Sequence, residues 1–300
     1  MSRFALSVLL SALLSWPAAG VAQTTAAAPE PASAALQAEV DAWRAHRFAS
    51  LTGENGWLSL VALLPLHSGA NSLGSAAGST LRLDRPDVPA HAARISVSGG
   101  KVMLKAARGS GITLDGKPVT QLQMQTDASG SPTVLALGTL RFFVIDRLGH
   151  LFLRVRDVQN PKRNAFRGVE TFPVSDAWSI NARFEPYVPA HQVTIMNVLG
   201  LEQQIPSPGA VVFEKDGRSW RLDTLDEDPS SDALTLMFAD ATSGRETYGA
   251  GRFLEVPRPS NGSVQVNFNR AYNPPCAFTP YATCPLAPPE NRLNLRVTAG

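Results

Sequence analysis

The side chains best suited to chemistry gather beyond residue 239. Asp240, Thr242, Arg245, Glu246, Tyr248 and Arg252 share one stretch with Gly249 and Gly251. Glycine lets backbone come close to a ligand, and a guanidinium at 245 or 252 could clamp a carboxylate or phosphate bidentately. The competing reading is a tight loop, with Asp240 and Thr242 capping the backbone and the arginines pairing with Glu246 and Glu255. A second group follows: Asn267, Asn269, Arg270, Tyr272 and Asn273. On an extended segment 267, 269 and 271 share one face and Phe268, Arg270 and Tyr272 the other, with Phe268 inward. Buried Asn and Arg must be hydrogen-bonded, so this group either supports a proline-rich arm or lines a pocket. Glu54, in the turn Glu54-Asn55-Gly56, completes the ligand-binding candidates.

Cys276 and Cys284 are the only cysteines and flank the loop 277–283. In an oxidising compartment an even pair at short spacing reads as a disulfide, worth about 2–3 kcal/mol for a loop of this size. A metal site would need further ligands, and residues 260–300 hold no histidine and no other cysteine, so no metal is expected. A nucleophilic thiol would need a base that the adjacent sequence does not supply. The five histidines are scattered. There is no P-loop, no G-x-G-x-x-G and no H-E-x-x-H, so no cofactor is expected. Ser98-Gly99-Gly100-Lys101 fits S-x-x-K but sits in a hairpin turn instead of opening a helix. Arg154, Arg156 and Asp157 read as a solvated or salt-bridged strand face.

With 27 basic against 25 acidic residues the chain is close to neutral, which argues against a nucleic-acid partner. At 44% hydrophobic and 17% charged, it has enough apolar content for a real core. Residues 1–22 read as a secretory signal, with Arg3 ahead of an apolar run and Gly20-Val21-Ala22 as the cleavage site. No later stretch approaches the roughly 18 apolar residues of a membrane helix. The expected product is exported, periplasmic or secreted, with no transmembrane segment after cleavage.

Residues 23–34 are a low-complexity linker. A helix is predicted after Ser33, with Leu36, Val40, Trp43 and Arg47 on one face, Phe48 and Leu51 beside it, and a stop near Gly53. Residues 35–66 form this helix and a turn. From residue 67 the pattern becomes short β segments. Hairpins are predicted at Gly99-Gly100 and Asp115-Gly116, and a third across Asp146–His150. A boundary is expected near Asp157–Asn164. In residues 159–300, Trp178–Phe184 and Val193–Ile195 read as separate strands, Asp216-Gly217 as a turn, and Ala233–Phe238 as a central strand because it is nearly all apolar.

Four stretches carry a resemblance to a known family: Leu51–Leu58, Arg147–Asp157, Asp240–Tyr248 and the Asn267–Leu293 arm. Together they resemble DUF1684, a bacterial family without an established biochemical function, from about residue 40 to the end. The resemblance implies no activity and no site residues. Residues 68–146 are similar in order to forkhead-associated (FHA) β-sandwiches, through Gly69–Gly74, Leu114–Val119, Leu137-Gly138 and Phe142–Ile145. Those domains bind phosphothreonine through an arginine near the first glycine and a Ser-x-x-His pair. Here no arginine follows Gly69 and His91 lacks the serine, so the resemblance implies the sandwich without its phosphopeptide site.

The expected fold is mainly β: the N-terminal helix packed on an FHA-like antiparallel sandwich (67–158), then a second antiparallel β domain (159–300) ending in the proline-rich arm. The expected function is a periplasmic binding or structural module with a small-molecule or peptide ligand. The alternative is a hydrolase of unrecognised type acting on a small carboxylate- or phosphate-bearing substrate. It would use Asp240, Glu246 or Asn269, with Arg245 or Arg252 as an electrostatic clamp. Both readings require the 240–252 and 267–273 stretches to converge.

Overall fold

Ser33 starts the first ordered element. Its side chain accepts the Leu36 amide and caps the helix Ala34–Thr52. Asp176 holds the cap in turn, accepting from the Ser33 amide at 2.6 Å and its hydroxyl at 3.1 Å. At the other end the Gly53 N–H returns to the Ala49 carbonyl at 2.9 Å. The structure is a computed structural model and describes residues 32–300. The signal segment 1–22 and residues 23–31 of the linker lie outside the described residues. No helix among the described residues is long and apolar enough to cross a membrane.

The helix was expected to pack on the first sandwich. It docks on the second half instead. Leu36 and Val40 bury against Val174, Arg44 donates to the Phe172 carbonyl at 3.1 Å, and Arg47 donates to the Asn273 carbonyl at 2.7 Å. Glu39 pairs with Arg270 at 3.6 Å. The inward face of the helix carries two arginines, which need carbonyl acceptors once covered. Loops offer free carbonyls, whereas a strand ladder has already used its own.

The chain is mainly antiparallel β. Residues 60–157 form two facing sheets. One is six-stranded, in the order Leu60–Pro65, His150–Asp157, Leu140–Arg147, Leu135–Leu137, Thr113–Leu114 and Lys117–Pro118. The other is five-stranded, in the order Leu81–Arg82, Gly69–Gly74, Ala93–Ser98, Lys101–Ala106 and Gln121–Met124. Ile95 and Leu104 of the second sheet meet Phe142, Val144, Leu153 and Val155 of the first in one buried core. Period-two alternation puts these residues on the inner faces. The three hairpin tips have positive φ at both central residues: Gly99-Gly100, Asp115-Gly116 and Leu148-Gly149. That is the backbone a two-residue hairpin turn demands. The third hairpin is tighter than expected, since Arg147 still pairs with His150.

The polar stretch at 157–164 is structured. Asn160 caps the short helix Pro161–Ala165, and its side-chain amide donates to the Leu58 carbonyl at 2.9 Å.

Beyond it, a four-stranded sheet runs in the order Arg218–Asp223, Glu202–Lys215, Ser179–Met196, Ser263–Asn267. The two strands expected at Trp178–Phe184 and Val193–Ile195 are ends of one 18-residue strand. Ser263–Asn267 pairs only with residues 179–183. Past that point the long strand has Glu202–Lys215 on one side and no paired strand on the other, where Phe184 bonds Gly262 and Met196 bonds Leu286, and where proline is tolerated. Ala233–Phe238 is not central in a large sheet; it forms a two-stranded sheet with Arg252–Pro257, and Thr235 makes one further bridge to Leu225 on the other edge. Its continuous apolar run comes from burial on both faces: Leu234, Leu236 and Phe238 enter one core and Met237 another.

The alternation expected for 267–272 is broken by a 3-10 turn, Phe268–Arg270. Phe268 and Asn269 are both fully buried as a result. The Phe268 ring lies 5.8 Å from Trp178, 5.4 Å from Phe213 and 5.6 Å from Phe238. Three aromatic partners make it the hub of the second core. Phe268→Ala should therefore cost about 3–5 kcal/mol in urea unfolding; a loss near zero would show that this ring is not a core contact.

Candidate functional site

Asp240 lies just past the Ala233–Phe238 strand and is wholly enclosed. Its carboxylate accepts from the Thr242 hydroxyl at 2.9 Å, the Ser243 hydroxyl at 3.2 Å and the Val297 amide at 2.8 Å. Arg252 completes the shell at 3.3 Å, with its own side chain only 3% exposed. The same guanidinium donates to the carbonyls of Val297 and Ala299. Asp240, Thr242 and Arg252 thus tie the tail 293–299 onto the core. Arg252 does not pair with Glu246 or Glu255 as the tight-loop reading had it. Glu246 binds Arg296, and Glu255 accepts from the Tyr272 hydroxyl at 3.4 Å.

Asn269 is also internal. Its amide donates to the Ser175 carbonyl at 2.9 Å and accepts from the Ser175 N–H at 3.0 Å. This two-way clamp sets the path of the loop that follows residue 165.

Beside these anchors the two polar stretches converge. Phe253 and Tyr272 exchange backbone hydrogen bonds at 2.8 and 2.9 Å. A cavity of about 510 Å³ opens there. Glu246, Thr247, Arg252, Ala271, Tyr272 and Asn273 form one wall. The opposite wall is the helix, which contributes Trp43, Arg44, Arg47, Phe48 and Leu51. These positions are three or four residues apart, so one helical face presents them all. The loop 166–172 and Phe278 of the arm close the remaining sides.

Aromatic rings define the cavity's shape. Phe48 stacks on Phe166 at 5.5 Å, and Phe278 meets Phe166 edge-on at 5.9 Å. Trp43 lies 6.0 Å from Tyr272. The Arg47 guanidinium sits 3.8 Å from the centre of the Tyr272 ring. Burial pulls the Arg44 and Arg47 pKa values below the usual arginine range. Burial first, and then Glu255, push the Tyr272 phenol up to about 12. The buried Nε of Arg44 has no partner among the described residues.

Of the residues singled out from the sequence, Glu246, Arg252, Tyr272 and Asn273 line the cavity. Asp240, Thr242 and Asn269 stand behind it as internal anchors. Arg270 faces Glu39 of the helix. Arg245 and Glu54 are exposed and line nothing. Tyr248 is half-buried, its phenol held up by burial and by the nearby Cys276 and Cys284. Trp43, Arg44, Phe48, Phe166, Phe172 and Phe278 were missed. The helix face at 40, 43, 47 and 51 was visible, but it read as ordinary packing.

The expected disulfide is not formed, and both cysteines are free thiols. Each sulfur instead accepts the partner residue's backbone amide, at 3.0 Å for the Cys284 sulfur and 3.4 Å for that of Cys276.

Asp240→Ala should leave Arg252 as an unpaired buried cation and cost about 3–5 kcal/mol. Adding Arg252→Leu should recover part of that loss, so a double-mutant cycle in urea should show strong coupling. Strictly additive losses would mean that the two side chains act independently.

Comparison with known proteins adds the following. No curated protein matches this chain. An uncharacterized protein of Haloarcula marismortui, solved in solution by NMR, is 26% identical, with 47% of this chain and 78% of that one covered and a TM-score of 0.40. An FHA domain from a study of phosphothreonine-dependent interactions is 22% identical, with 31% of this chain and 92% of that one covered and a TM-score of 0.20. The family model described as "Protein of unknown function (DUF1684)" matches residues 164–300. That span holds the 240–252 stretch and the proline-rich arm, whereas the helix that walls the cavity lies before it. Over residues 164–300, then, the chain is similar to the DUF1684 family.

Proposed function

We propose that this chain is an exported small-molecule binding module whose ligand combines an apolar, ring-sized body with a carboxylate or phosphate. The observation that carries the reading is the cavity between the helix and the C-terminal half. Its volume of about 510 Å³ lies within the range of roughly 300–1,000 Å³ usual for ligand pockets. Its walls combine aromatic rings with guanidinium groups, the composition expected for an apolar anion. Arg44 retains a buried, unpartnered N–H, and leaving such a donor unmade costs about 1–3 kcal/mol. A ligand oxygen would remove that cost. Export rests on the signal-like residues 1–22.

The hydrolase reading has less support. Asp240 and Asn269, two of its three candidate groups, are fully engaged in internal hydrogen bonds, and Arg252 is held by Asp240 and two carbonyls. Glu246 does face the cavity, but Arg296 occupies its carboxylate.

The test is a thermal-shift screen of aromatic and medium-chain carboxylates and phosphates, followed by titration with the intrinsic tryptophan fluorescence as readout, Trp43 being the tryptophan that lines the cavity. A ligand at 100 times its Kd should add about 2.7 kcal/mol to the unfolding free energy. Arg44→Ala and Phe278→Ala should each raise Kd by about tenfold, the equivalent of 1.4 kcal/mol. If neither substitution weakens the binding of any hit, the cavity is not the site. Release of product during the titration would favour the hydrolase.

A further inference from the structure

A second cluster lies where the proline-rich arm meets the first half of the chain. Arg154, on the strand His150–Asp157, is only 4% exposed. Its guanidinium sits 5.5 Å from the Trp57 ring centre. Its one hydrogen bond is a long one, 3.5 Å to the Thr283 hydroxyl, and its Nε has no partner. Arg147 donates to the same hydroxyl at 3.2 Å but has Asp127 as counter-ion at 2.8 Å. Among the described residues no carboxylate pairs with Arg154. A buried guanidinium without a counter-ion is strongly destabilising, so this position calls for an anion.

The anion is at hand. Thr283 immediately precedes Cys284 in the chain. Cys284 and Cys276 face each other, each sulfur accepting the other's backbone N–H. Cys284 is buried, while Cys276 is partly open to solvent. Cys276 is thus the more open residue of the pair.

We infer that Cys276 and Cys284 form a reactive dithiol for exchange with low-molecular-weight disulfides, with Cys276 as the attacking sulfur and its thiolate balancing the buried charge of Arg154. The direction of the thiol shifts agrees with this geometry. The hydrogen bond from Cys284 is the main influence drawing Cys276 down to about 7, with the Arg154 charge acting the same way, while Cys284 is pushed up. A thiolate formed near neutral pH and open to solvent is the reactive form. The Cys276 thiolate attacks one sulfur of R–S–S–R, forming a Cys276–S–S–R bond and releasing RS⁻. The Cys284 proton passes to that RS⁻. The Cys284 thiolate then attacks the Cys276 sulfur, closing the Cys276–Cys284 bond and releasing the second RS⁻. The protein dithiol is oxidised by two electrons and one external disulfide is reduced to two thiols.

The test uses the reduced, desalted full chain and the aromatic disulfide probe DTNB. The native protein should release two thionitrobenzoate ions per chain and finish lighter by two hydrogens in mass spectrometry. Cys284→Ser should release one and stop at the Cys276 mixed disulfide. Cys276→Ser should react slowly. Arg154→Leu should slow the first release by about threefold to tenfold, as expected when a thiolate loses its stabilising charge. If that variant does not fold, the Cys284→Ser product still tests the assignment. Release only after denaturation would overturn the inference, as would a native product carrying two mixed disulfides or a Cys276→Ser variant as fast as the native chain. None of these outcomes bears on the ligand cavity.

Discussion

The buried pair of Asp240 and Arg252 is the constraint on which the second half depends. A lone charge in that position would be costly, and each partner relieves the other. The Asp240 carboxylate also accepts from Thr242, Ser243 and the Val297 amide, and the terminal nitrogens of Arg252 donate to the carbonyls of Val297 and Ala299, while its Nε has no partner among the described residues. The tail from Leu293 to Ala299 is thereby held against the core, with Leu293, Leu295, Val297 and Ala299 buried. These side-chain anchors add to the backbone bonds that Leu293 and Leu295 make with Ala239 and Ala241.

Asn269 does the same work for the loop 166–176, and Ser33 with Asp176 does it for the start of the helix. These polar clamps place the cavity walls. The cavity forms because the helix, the loop and the arm are each fastened to the second half and leave their aromatic side chains facing one another. The arm then serves two places: Phe278 reaches the cavity, and the flanking cysteines lie toward Arg154 on the other half of the chain.

Local signals in the sequence translated well into structure. Paired positive-φ positions at Gly99-Gly100, Asp115-Gly116 and Asp216-Gly217 became turns, because few residues other than glycine, asparagine and aspartate tolerate that backbone. Ser33 became an N-cap because its hydroxyl accepts the Leu36 amide, which is also a local contact. The site was legible only in part. The 240–252 and 267–273 stretches do meet, yet Asp240, Thr242 and Asn269 turned out to be anchors instead of ligand contacts. Residue type marks a group that must be satisfied, and it does not say whether a ligand or the protein itself will satisfy it.

Composition, turn residues and alternation by themselves determined a mainly β chain with a capped N-terminal helix and a tail that could be neither helix nor central strand. These properties depend on neighbours within a few positions, where backbone sterics and side-chain period act directly. Only the tertiary structure decided that the helix docks on the second half, that Ala233–Phe238 is buried on both faces within a two-stranded pair, and that Arg154 lies near two free thiols. Each of these joins residues far apart in the chain, and such a pairing is chosen by which surfaces can bury charge and apolar area together.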